Sequence, residues 1–318
     1  MPRTSVPVEP EAGASALVLA GGGAKGAYEV GVWKAMQEMG IDKTIKVISG
    51  TSIGAINASL FASVSDATKI ESFWTDNVAH IVRRINFSKV KKEWRDGLAV
   101  AGDVIRRRLS LGSLAGAIGV VKDKLLSIFG EEYVGGWVDP RDLRGAIEAN
   151  LPYEWGKNAP VVYATSLCKG PDFPSWKRRV FKLNDEPFDR KVDMLRASSA
   201  IPVVFDNVEV DGCVYVDGGW ALAGGENVPI TPVLENHPEI KTIYVVYLDA
   251  RFSLKLDRFF RLLGGDPIDT SRFPEKRIVK IVPSKSLKWV VGALNFSPRT
   301  ARRLFKLGYA DARRALEK

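Results

Sequence analysis

A chain of 318 residues with 46% apolar side chains is long enough to bury a large core, as one enlarged α/β domain or two small ones. Its two cysteines, Cys168 and Cys213, supply neither a disulfide framework nor the four ligands of a structural zinc site, and no stretch approaches the roughly 20 apolar residues of a membrane-spanning helix. The formal charge of +9 is compatible with an anionic partner.

Residues 1–14 carry Pro2, Pro7 and Pro10 among small polar residues and no apolar run of the kind a secretory signal needs. They are expected to be a disordered lead-in to a single domain over residues 15–318, in a cytoplasmic, reducing location. Ala16 to Ala20 is a continuous apolar run, as in a strand buried on both faces of a parallel sheet, and it runs straight into glycines. Tyr28, Val32, Ala35, Met36 and Met39 then recur at helical spacing, and Gly40 stands where helices commonly stop. Ile45 to Ile48 reads as a second strand, followed at once by Gly50-Thr51-Ser52-Ile53-Gly54 and a small-residue helix to about Ala62. Strand, helix and parallel strand make a right-handed crossover, which sets both strand ends and both glycine loops at one edge of the sheet. Ligands of open α/β sheets bind at that edge.

Residues 71 to 150 read as a mostly helical, basic insertion or lid, closing with a helix near Pro140 and Asp142. Between Ile81 and Leu125 eleven Lys or Arg stand against four acids. That excess fits a solvated helical face, peripheral contact with an anionic membrane surface, or a nucleic acid. The apolar stretch from Leu109 to Val121 fits a lipid-facing lid or a core helix. Strands return at 160–167 and 179–183, and Val208–Val210 and Cys213–Val216 flank Asp211-Gly212, a tight hairpin turn. Residues 241–248 and 277–282 supply the last strands, and Ser297 caps a closing helix to 318 with Pro298 in its first turn.

Gly50-Thr51-Ser52-Ile53-Gly54 matches G-x-S-x-G, the sharp strand-to-helix turn that projects a serine hydroxyl, and it falls between a predicted strand and helix as that turn requires. The first glycine loop is ambiguous alone: Gly21, Gly23 and Gly26 also fit the spacing of a dinucleotide fingerprint. That fold wants an acid at the end of the second strand, where this chain has Ser49-Gly50-Thr51-Ser52. A dinucleotide-dependent oxidoreductase is the weaker alternative. The other reading is an oxyanion hole built from N–H groups of Gly22 and Gly23, with Lys25 adding positive potential or fixing the loop. Only His80 and His237 could complete a Ser-His-Asp arrangement, and His237, in Glu235-Asn236-His237-Pro238, reads as a surface loop residue. A carboxylate within hydrogen-bond reach can take the proton instead. Asp217 is the candidate, because it ends a hairpin strand and Gly218 and Gly219 let the backbone turn tightly after it. Asp211 reads as the hairpin turn itself.

These three signals, in this order and rough spacing, resemble the patatin-like phospholipases. Ala197-Ser198-Ser199-Ala200-Ile201-Pro202 and Asn227-Val228-Pro229-Ile230 are similar to segments of that family before and after its Asp-Gly-Gly, and the resemblance spans roughly residues 15 to 285. It implies a three-layer α/β/α fold with a central, mostly parallel sheet. It also implies a Ser52–Asp217 dyad with no catalytic histidine, metal or cofactor, acting on acyl esters of phospholipids or other lipids. An inactive member that binds membranes or nucleic acid through the basic segment is the alternative, although no specific nucleic acid is expected. The chain departs from the family at Ala20, where some members carry an acid, and over Trp220–Gly225, which sets Asn227 further than usual from the Asp-Gly-Gly.

Overall fold

The computed structural model describes residues 13–64, 66–77, 140–170, 173–201, 205–220, 224–248, 273–287, 293 and 295–317. The proposed lead-in up to residue 12, His80, the basic segment 81–125 and the apolar stretch 109–121 lie outside the described residues. Among the described residues no helix is long and apolar enough to cross a membrane.

Strand β1 (Ser15–Leu19) leads through a short 3-10 turn (Gly23–Gly26) into helix α1 (Ala27–Glu38), and β2 (Ile45–Thr51) into α2 (Ile53–Ser63). A short α3 (Ala67–Ser72) and a π-turn (Phe73–Asn77) follow. The chain then runs through α4 (Pro140–Asn150), β3 (Val161–Gly170), β4 (Phe173–Lys182), α5 (Phe188–Ser198), β5 (Val208–Val210), β6 (Cys213–Asp217), α6 (Thr231–Asn236), β7 (Thr242–Val246), β8 (Arg277–Ile281) and α7 (Pro298–Leu316). The predicted strands and hairpin are all present. In the hairpin turn Asp211 and Gly212 both take positive φ (52° and 72°), which gives the turn the twist of the flanking strands. Ser297 caps α7 by accepting from the Thr300 N–H. Helix α5 was not among the sequence-based expectations, although Phe188, Val192 and Leu195 repeat at helical spacing.

All eight strands join one mixed sheet. β1 pairs in parallel with β2 and β7, β2 with β3, and β7 with β8, while β4, β5 and β6 pair antiparallel. Successive residues of β1 point into different cores. Leu17 and Leu19 join the larger cluster with residues of α1, α2, α5 and α7, and Ala16 and Val18 join a second cluster with Ile230 and Val233 at α6. The sheet is therefore the middle of three layers, as the apolar run of β1 implies. Each of its fully buried leucines contributes about 2 kcal/mol.

Helix α7 packs closely against α1. Gly31 faces the Phe305 carbonyl and Gly308 faces the Tyr28 carbonyl so closely that a Cβ at either position would overlap that oxygen.

Candidate active site

The site is built on one edge of β3. β4 pairs with β3 from Tyr163 to Gly170 and so fills one edge. The other edge is shared: β2 covers Val161 to Thr165 and β6 covers Ser166 to Lys169, running toward each other. Their last residues stand on adjacent rungs, Thr51 opposite Thr165 and Asp217 opposite Ser166. Two segments whose last residues are 166 positions apart thus end face to face.

Ser52 is the next residue after Thr51, and α2 begins directly behind it. Its backbone sits at φ 56° and ψ −128°, a conformation that L-residues seldom adopt and that costs about 1–3 kcal/mol. The surroundings impose it. Ser52 N–H donates to Ser198 Oγ (2.9 Å), Ser198 Oγ donates to Thr165 O (2.6 Å), and Ser52 O accepts from the Ala55 N–H (2.9 Å). The turn also needs its flanking glycines, since a Cβ on Gly50 would overlap Gly54 O and one on Gly54 would lie 2.6 Å from Leu19 O. The Ser52 side chain is buried.

Asp217 is held on both sides. Its N–H donates to Ala200 O (2.9 Å) and the next N–H, of Gly218, to Ser198 O (3.3 Å), so the end of α5 and the residues just after it fix Asp217 as Ser198 fixes Ser52. Oδ1 accepts from the Gly219 N–H (2.8 Å), while Oδ2 is buried and has no hydrogen bond. Burial pushes the carboxyl up to about 6. The Ser52 hydroxyl and the Gly219 N–H pull it part of the way back, the hydroxyl standing close to the carboxyl but short of a formed bond at Oδ2.

The first glycine loop lies against this pair. Gly21 N–H donates to Asn227 O (2.9 Å), and a Cβ on Gly21 would lie 2.6 Å from Asn227 Oδ1 and 3.3 Å from Ser52 Cβ. Asn227 Oδ1 also crowds Gly219, so a single side chain sits between the loop and the Asp-Gly-Gly turn. The stretch from Trp220 to Gly225 does not prevent this, and its two ends are joined, Gly225 N–H donating to Trp220 O (3.1 Å). Gly22 and Gly23 open a 3-10 turn, where their N–H groups have no helical acceptor. Lys25 is buried, its chain packed against Gly22, consistent with fixing the loop. A second tie comes from Asn57 of α2, whose Nδ2 donates to Gly26 O (3.0 Å) and Glu29 Oε2 (2.8 Å) and whose Oδ1 accepts from Trp74 Nε1 (3.1 Å). Glu29 is fully buried, and that burial holds its carboxyl well above the usual range.

Beside Ser52 opens a cavity lined by Ile53, Ile56, Phe73, Leu143, Ile201, Phe205 and Phe296, with only Gly23, Ser52 and Ser199 contributing polar groups. Ser199 Oγ is buried there without a hydrogen bond. His237 is elsewhere, in the loop after α6 as expected, where Tyr163 Oη (3.1 Å) and Glu239 Oε1 (2.9 Å) partner its ring nitrogens and its side chain is partly buried, 15% exposed. No group of three potential metal ligands occurs among the described residues.

Structure thus brings together Ser52, Asp217, Gly21, Gly22, Gly23, Gly26, Gly50, Gly54, Gly218 and Gly219. Sequence reasoning gave Ser198, Glu29 and Asn57 no role. The bonds that tie them to the site reach partners as far as 146 positions away, which local patterns do not carry.

A serine on a strained strand-to-helix turn beside a buried carboxyl defines an α/β protein built on a serine elbow. The profile described as "Patatin-like phospholipase" matches residues 17–234, and the chain belongs to that family. Similar curated proteins include "Lysophospholipase nte1" of Aspergillus terreus, 56% identical over 50 residues, and "Patatin-like phospholipase domain-containing protein 7" of Rattus norvegicus, 40% identical over 75 residues. Those alignments cover 16% and 23% of this chain and only 3% and 5% of the relatives. Among solved structures, VipD from Legionella pneumophila is 18% identical with a TM-score of 0.46, covering 95% of this chain and 66% of that one. Human GIVD cytosolic phospholipase A2 is 11% identical with a TM-score of 0.44, covering 94% and 58%.

Proposed function

We propose that this protein is a serine acyl hydrolase acting on lipid esters, with Ser52 as nucleophile and Asp217 as its base. The observation that carries the reading is the meeting of two buried groups, the Ser52 hydroxyl and the Asp217 carboxyl, whose Oδ2 lacks any hydrogen bond. A buried carboxylate oxygen without a donor is costly, and an adjacent hydroxyl proton is what it can accept. In the reaction Ser52 Oγ attacks the ester carbonyl as its proton passes to Asp217. The N–H groups of Gly22 and Gly23 and the start of α2 stabilise the oxyanion. Asp217 returns the proton to the departing alcohol; a water then gives a proton to the same carboxylate as it attacks the acyl carbonyl, and Asp217 passes that proton to Ser52 Oγ as the free acid leaves.

The apolar character of the lining beside Ser52 favours a fatty acyl group over a polar one, since methylenes gain about 0.8 kcal/mol per group on leaving water and this lining asks for no polar partner. The names of the similar curated proteins, a lysophospholipase and a patatin-like phospholipase, point the same way. A fluorophosphonate probe tests the assignment: the parent chain is labelled, Ser52→Ala is not, and hydrolysis of phospholipid and lysophospholipid falls by several orders of magnitude in that variant. Labelling that survives in Ser52→Ala, or equal losses in Ser52→Ala and His237→Ala, would overturn the dyad.

A further inference from the structure

The exposed face of α7 carries a feature that the fold does not use. Arg299, Arg302, Arg303 and Lys306 are all exposed, and at 100° per residue they fall within one narrow sector of the helix, opposite the face that Ala301, Leu304, Phe305 and Gly308 bury. No carboxylate among the described residues lies within 4.0 Å of any of the four. The same helix shows what a solvated basic face looks like when it is balanced, because further along Arg313 pairs with Glu317 (2.6 Å) and Arg314 with Asp311 (3.0 Å).

Folding alone disfavours the unbalanced half. Arg299 and Arg303, Arg302 and Lys306 are like charges four apart, which repel along a helix. Arg299 also sits in the first turn, where the helix dipole favours acids. A face that costs stability in the free chain is relieved by an external counter-charge. Its place says which kind: α7 begins two residues after Phe296, which lines the cavity next to Ser52 and stacks on Trp74 (ring centres 6.4 Å apart).

We propose that the Arg299–Lys306 face of α7 is a docking surface for an anionic lipid bilayer, bringing the cavity mouth to the membrane that holds the substrate. The cavity's part in this rests on the acyl-hydrolase reading, whereas the adsorption itself does not. The stripe matches a planar sheet of headgroup charge, and each cation near such a surface contributes about fivefold in partitioning.

Co-sedimentation of the full chain with phosphatidylcholine vesicles, with and without phosphatidylglycerol, tests the proposal. The chain should adsorb to the anionic vesicles and release as salt rises. The double variant Arg302→Glu/Arg303→Glu should lose at least about twentyfold in partitioning, with an unfolding temperature no lower than the parent's, since it turns two repelling pairs into attracting ones. A charge-matched control on the exposed strand β4, Lys177→Glu/Arg179→Glu, should stay near the parent. Because adsorption is read without turnover, Ser52→Ala should bind as the parent does, and failure of the dyad would leave this result standing. Equal adsorption to neutral vesicles, equal losses in the two double variants, or tighter binding to a single-stranded oligonucleotide at the same salt would each overturn the proposal.

Discussion

In the proposed dyad, Asp217 would serve catalysis at the expense of the fold. Burial sets its pKa at about 6, above the ordinary value of 3.8, so the folded chain prefers the protonated form. As a base it must be ionised. The kcat/KM for a neutral ester is therefore expected to rise with pH and level off above about 6, and a pH profile of the parent chain checks this. Stability runs the other way. A group whose folded pKa is raised costs nothing while protonated in both states; stability then falls as pH rises from about 4 to about 6 and stays lower beyond. Asp217→Asn removes that cost while keeping an acceptor for the Gly219 N–H. The variant is expected to be inactive yet more stable than the parent at pH 8, by at most about 3 kcal/mol, with the difference fading toward pH 4. Urea unfolding at the two pH values reads both the sign and the window. An Asn variant no more stable at pH 8 than at pH 4, relative to the parent, would mean that the carboxyl titrates normally.

At the scale of elements, the decisive arrangement is the division of one β3 edge between β2 and β6. Ser198 sits where the two halves join, donating to Thr165 O and accepting from Ser52 N–H. Ser198→Ala leaves Ser52 N–H and Thr165 O buried without that partner, and is expected to cost about 1–3 kcal/mol. Because the strained Ser52 backbone loses a support, kcat should fall with KM little changed, whereas a purely structural role would lower stability alone; steady-state kinetics beside urea unfolding separate the two. Much of this level was legible in the sequence. The apolar run of β1, the glycines after it and the Gly-x-Ser-x-Gly turn are local features of strand, loop and helix, and the Asp-Gly turn fixed the β5–β6 hairpin. What a linear pattern does not carry is the register that sets Thr51 and Asp217 on adjacent rungs, because that depends on pairings with β3, more than 45 residues from either end. The same holds for Asn227, whose carbonyl and side chain bridge the two glycine turns.

Across the whole molecule, α7 closes over α1, and the lead into α7 carries Phe296 of the cavity wall. Near that crossing Asp311, buried in α7, accepts from Tyr28 Oη (3.3 Å) and from Ser284 N–H (2.8 Å), joining α7 to α1 and to the segment after β8. Burial and the Asp311 charge both raise the Tyr28 pKa, so the phenol stays a donor. The apolar period of α7 was readable, but the need for glycine at 31 and 308 was not, because it arises only where two backbones touch. Gly308→Ala should force the helices apart, since a Cβ there meets the Tyr28 carbonyl, which belongs to a helix backbone and cannot rotate away as a side chain would. Overpacking of this kind typically costs about 1–3 kcal/mol, or several degrees of melting temperature for a chain of this size. The displacement has a direction. Phe296, on the lead into α7, walls the cavity, so moving the helix alters the space for an acyl chain before it disturbs Ser52, whose supports come from β3 and α5. The kcat/KM of Gly308→Ala should therefore fall more for long-chain than for short-chain esters, while fluorophosphonate labelling persists. A uniform loss across chain lengths would mean that α7 stabilises the fold without shaping the cavity.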